Sequence, residues 1–122
     1  MKILVVESHA DIRYLVEEFL RRKLDGIEVT ATGNADAAAA NLQAGGFGGL
    51  VIGSTQHRAA MDLSRLAQDH DAFVFLFASS PETDGLRSTA AATIRQPDFQ
   101  GLIEAVGELV VQDARRRIGG RR

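Results

Sequence analysis

Five strand-like runs, three of them apolar, one rich in β-branched residues and one short and weak, alternate with residues at helical spacing and set the terms on which this chain folds. The runs are 2–6 (KILVV), 27–32 (IEVTAT), 50–52 (LVI), 72–78 (AFVFLFA) and 92–95 (ATIR). A continuous apolar run bounded by polar residues reads as a strand buried on both faces, and such strands belong to parallel sheets covered by helices. Fivefold alternation of strand and helix predicts a doubly wound α/β domain. In open sheets of that kind function gathers at the carboxyl ends of the strands. The stretch Leu50-Val51-Ile52-Gly53-Ser54 therefore puts a small hydroxyl residue, Ser54, at a position where chemistry is expected.

Bulk composition narrows the class. At 122 residues, with 45% apolar and 25% charged content, the chain is sized for one ordinary globular domain. No apolar run approaches the roughly 20 residues that span a bilayer, so membrane insertion is not expected. The start MKILVVES runs straight into a strand without a basic, apolar and small-residue leader. The absence of cysteine excludes disulfides, thiol catalysis and thiolate metal sites, and with the start it predicts a cytoplasmic protein. The net charge of −2 conceals an asymmetry, because residues 115–122 carry five arginines and leave −7 on the rest. Such a contrast points to an anionic partner.

Helix patterns fill the intervals. Asp11 is the N-cap candidate of the first helix, whose Ile12, Leu15, Val16, Phe19 and Leu20 form an apolar stripe. Arg13, Glu17, Glu18, Arg21 and Arg22 take its solvated side. Gly33-Asn34 turns the chain into an alanine-rich helix at 35–44, and the glycines of 45–49 make a loose approach to the third strand. Met61, Leu63 and Leu66 face inward from a helix over 59–68. The fourth run is the most apolar and is placed centrally, with Phe73, Phe75 and Phe77 joining Phe19 and Phe99 in the core. Ser79-Ser80-Pro81-Glu82 signals a brief further helix. Asp98 caps the last helix, in which Phe99, Leu102, Ile103, Val106, Leu109 and Val110 recur at helical spacing.

KILVVES-HADIRYLVEEFL, GGLVIGS, FVFLFAS and IRQPDFQGLIEAV occur in that order. Together they make the chain resemble a response-regulator receiver domain, chemotaxis-regulator-like, over residues 1–113, with 114–122 as an arginine-rich tail. The resemblance implies a flavodoxin-like parallel sheet of order 2-1-3-4-5 with helices on both faces. It also implies an acid pair that holds Mg²⁺, an acceptor aspartate, a hydroxyl residue and a lysine before proline. Here those positions hold Glu7 and Ser8, then Ser54, then Ala78 or Ser79, then Gln96 before Pro97. The aromatic position of the last strand falls at Thr93. A lone carboxylate stands where the pattern has an acid pair and an aspartate, whereas Mg²⁺ demands oxygen ligands with carboxylate charge. A serine hydroxyl with no base beside it does not attack a phosphoryl donor as a carboxylate does. Gln96 donates hydrogen bonds but brings no charge. The chain reads as a pseudo-receiver that lacks the phosphoacceptor. The intervals between strands three and four, and between strand four and Pro97, are also shorter than the pattern, which puts the usual partner face in question.

Other chemistries are weaker. Ser8, Ser54 and Ser79 suggest a hydroxyl-lined pocket, read as water-filled rather than as an anion or modification site. Glu7, His9 and His57 fall on loops at one edge, but no ligand spacing fixes them, and no metal or cofactor is assigned. Gly-Ser-Thr around Ser54 is not a nucleophile elbow, and Gly45–Gly49 precedes a strand rather than a helix. No enzymatic activity is expected. The reading is a phosphorylation-independent interaction module of two-component-type signalling, partnered by a histidine kinase, another regulator or an output protein. The alternative is an effector for cyclic di-GMP or another anion, held by Arg115, Arg116, Arg117, Arg121 and Arg122, because guanidinium binds phosphate bidentately. Five arginines make an electrostatic footprint without specificity, so nucleic acid is not put forward as a partner.

Overall fold

A computed structural model describes residues 1–78, 90–96 and 98–119. The helix expected after Pro81, and Ser79, Pro97, Arg121 and Arg122, lie outside the described residues. The elements are β1 (Lys2–Val6), α1 (Ala10–Lys23), β2 (Glu28–Thr32), α2 (Ala35–Ala44), β3 (Phe47–Ile52), α3 (His57–Asp69), β4 (Phe73–Ala78), β5 (Ala92–Arg95) and α4 (Phe99–Gly119). The strands form one parallel five-stranded sheet in the order β2-β1-β3-β4-β5, as expected.

Pleating sends alternate side chains to opposite faces, and each face carries its own core. Ile3, Val5, Val51, Phe75 and Phe77 meet Val16 and Leu20 of α1 and Leu102, Val106 and Leu109 of α4. Leu4, Val6, Leu50, Ile52, Val74 and Leu76 meet Ala38 and Leu42 of α2 and Ala60, Leu63 and Ala67 of α3. Burial on both sides is why β1, β3 and β4 read as unbroken apolar runs rather than as alternations.

Several expectations are corrected. β3 begins at Phe47, so Gly48 and Gly49 belong to the strand instead of an approach to it. β4, the most apolar run, is an interior strand paired to β3 and β5, with β3 in the middle place that the sheet order gives it. Phe75 and Phe77 are buried, but Phe73 at the start of β4 is 43% exposed, opening onto a hollow that Ala90, Ala91 and Arg116 also line. Leu15 leaves the stripe of α1 for the surface, beside exposed Tyr14. The N-cap of α1 is His9, without a side-chain cap bond, and Asp11 sits in the first turn.

The starts of α2 and α4 are as read. Asn34 Oδ1 accepts from the N–H groups of Asp36 and Ala37 at 2.7 and 3.1 Å, and Asp98 Oδ1 accepts from Gly101 N at 2.9 Å. α3 runs for 13 residues, so the short interval does not cost it its turns. It closes through Asp71, in the left-handed region at φ 59°, with Asp71 N donating to Gln68 O at 3.1 Å and Ala72 N to Ala67 O at 2.8 Å. That pair of bonds is the Schellman ending, in which the left-handed position is usually glycine.

Candidate functional site

Parallel strands deliver their carboxyl ends to one edge, and Glu7, Ser8, Ser54 and Gln96 gather there. β1 and β3 finish level, Val6 beside Ile52, while β4 runs two residues past Leu76, the partner of Ile52, to Ala78, which pairs with Arg95 at the end of β5. The chain leaves β1 at Glu7, β3 at Gly53-Ser54 and β5 at Gln96. Backbone bonds fix these exits. Glu7 N donates to Thr32 O at 3.0 Å, Gly53 N to Val6 O at 2.8 Å, and Ser8 N to Ser54 O at 2.9 Å. Ser8 Oγ donates to the same Ser54 carbonyl at 2.7 Å.

Glu7 is the chemically unusual member. It is only 1% exposed, and buried carboxylates are rare unless they are paired or hydrogen-bonded. Its Oε1 accepts from Gln96 Nε2 at 3.1 Å, and its Oε2 accepts a long bond from His9 N at 3.4 Å. His9 Nδ1 lies 3.8 Å from Oε2 on a side chain that is largely exposed. The second hydrogen of Gln96 Nε2 goes to Phe77 O at 2.7 Å. Gly53 permits this arrangement: a Cβ there would sit 2.9 Å from both Cδ and Oε1 of Glu7.

One residue at the site escaped the sequence reading. Arg13 is half-buried rather than on a solvated side, and its Nη1 donates to the main-chain oxygen of Glu7 at 2.9 Å. Its guanidinium lies against Gly33, where a side chain would collide with it. Helical spacing gives the direction in which a residue leaves the axis, not how a long side chain bends back, so only the absence of a side chain at Gly33 hinted at it.

Ser8 and Ser54 do line a common hollow of about 540 Å³, together with Gly33, Ala35, Thr55, Gln56 and Ala59. Ser79, the third expected member, is outside the described residues, and Ala78 is described by its backbone alone. The Glu7 carboxylate is not part of that lining. His57 opens α3 instead of lying on a loop. Among the described residues, no group of three or more histidine, aspartate or glutamate side chains is placed to hold a metal ion. The donor set of the described residues does not fit Mg²⁺: one oxygen of the buried Glu7 carboxylate is taken by a side-chain amide, and the neighbouring Ser8 hydroxyl donates to a carbonyl.

The arginines lie elsewhere. Arg115 and Arg116 are exposed in the last turns of α4, and Arg116 lines a hollow of about 680 Å³ with Gln68, Asp71, Phe73, Ala90 and Ala91. α4 continues through Arg117. No helix of the described residues is long and apolar enough to cross a membrane.

No protein-family model matches the chain, and no curated protein matches it. Solved structures do. The chain is similar to the response regulator TrrA from Thermotoga maritima, solved in complex with Mg²⁺-BeF, at 21% identity and a TM-score of 0.72, covering 88% of this chain and 97% of that one. It is similar to a Francisella response-regulator receiver domain at 19% identity and a TM-score of 0.76, over 92% and 98% of the two chains. A DNA-binding response regulator of the LuxR family from Silicibacter pomeroyi matches at 24% identity and a TM-score of 0.73, over 92% and 93%. Sheet order, site edge and these likenesses agree that the chain has the fold of response-regulator receiver domains.

Proposed function

We propose that the protein is an interaction module of two-component-type signalling that works without phosphorylation of an aspartate, residues 1–113 serving as the module. The observation that carries this reading is the occupation of the site edge. Ser54 follows β3 where the receiver resemblance has its acceptor aspartate, and among the described residues the buried carboxylate at this edge, Glu7, is bonded to a neutral amide. Phosphoryl transfer to a carboxylate depends on charge placed around the moving oxygens, and the described residues at this edge supply little of it. A partner protein, whether a kinase, a regulator or an output protein, would be recognised by contact with a helix–strand face.

Incubation with acetyl phosphate and Mg²⁺, followed by intact mass measurement, is expected to leave the mass unchanged. A labile phosphoryl adduct would overturn the reading. Exposure of Arg115 and Arg116 side by side supports a second reading, capture of cyclic di-GMP or another anion by these residues with Arg117, Arg121 and Arg122. Titration with cyclic di-GMP should then shift the amide signals of 114–122 in NMR spectra; unmoved signals would remove it.

A further inference from the structure

Gln96 sits in the link between β5 and α4, and its side-chain amide spends both hydrogens on other strands. One goes to Glu7 Oε1 at 3.1 Å, at the end of β1, and the other to Phe77 O at 2.7 Å, in β4. In the sheet, β1 and β4 are separated by β3. The Glu7 side chain bridges that gap by crossing the end of β3 at Gly53, where a Cβ would come within 2.9 Å of its Cδ and Oε1. Asp98 N donates to Arg95 O at 2.9 Å, closing the backbone turn that carries Gln96, and Leu102 N donates to Asp98 O at 3.2 Å as α4 begins.

We infer that Gln96 is a positioning residue, a neutral brace that ties the ends of β1, β3 and β4 to the start of α4 so that this whole edge opens as one unit. The inference rests on the proposed function and deepens it, since it gives a reason why a helix–strand face that includes β5 and α4 keeps one arrangement with a neutral amide, rather than a cation, against Glu7. A buried carboxylate left without its donor is costly, and so is an orphaned carbonyl, so losing the amide should loosen both sides together.

Native-state hydrogen exchange on the full chain tests it. In Gln96→Leu, which retains bulk but donates nothing, exchange is expected to quicken roughly tenfold or more at Ser8 and Gly53 and equally at Leu102, the equivalent of about 1.4 kcal/mol of local opening. Val29 in β2 should be unmoved. Quickening at Leu102 alone, or at none of these amides, would refute the brace. Should that variant fail to fold, the intact protein gives a second readout. The Gln96 side-chain amide hydrogens should exchange more slowly than those of Gln100 and Gln112, whose bonds to Glu104 and Glu108 are exposed. Equal rates would refute it. Neither measurement involves phosphoryl chemistry, so failure here leaves phosphorylation independence standing, and an acetyl phosphate adduct would leave the brace standing.

Discussion

Glu7 decides what its neighbours can be. Because its carboxylate is anchored by Gln96, it cannot swing aside for a new atom at Gly53. Gly53→Ala is therefore expected to lower stability by roughly 1–3 kcal/mol, the usual cost of overpacking, seen in urea unfolding as a lower midpoint at unchanged slope. A midpoint equal to that of the parent chain would show that Glu7 is free to move. At this scale the sequence was half legible. The strand-end rule led to Ser54, and the receiver resemblance added Glu7, Ser8 and Gln96 as edge residues. What Gln96 bonds to was not legible, nor was the role of Arg13, because both depend on long side chains turning back across elements distant in sequence.

Element ends were legible where a residue type carries the cap, as Asn34 and Asp98 do, and illegible where it does not. The close of α3 is the instructive failure. Its left-handed residue is Asp71 rather than glycine, so no glycine marks the Schellman bonds that turn the chain into β4. A left-handed conformation costs an L-residue roughly 1–2 kcal/mol, less for aspartate, which tolerates it better than most. Asp71→Gly should recover part of that, about 0.5–1 kcal/mol, although glycine also frees the unfolded chain. A rise in the thermal midpoint checks the sign, and a fall would mean that the carboxylate has a role in its neighbourhood.

At the level of the whole molecule, alternating burial was legible and coverage was not. The three phenylalanines of β4 share one face and look equivalent in sequence, yet Phe77 is fully buried and packs edge-on against Phe99 at 5.3 Å, while Phe73 reaches solvent. Phe77→Ala should cost about 3–5 kcal/mol as a large core truncation, and Phe73→Ala far less, of the order of 1 kcal/mol. Thermal or urea unfolding of the pair measures the difference; equal losses would place a covering element over Phe73.

The sheet is also a partition. Val106 and Leu63 belong to different packed layers on opposite faces of the five-stranded sheet, and among the described residues no buried side chain is shared by the two. Truncations separated in this way add with little cross-talk, typically to within about 0.5 kcal/mol. Loosening one compartment should thus leave the rotamers of the other as they were, so that any communication between them has to travel around the rim of the sheet, through the short chain segments that join strand to helix.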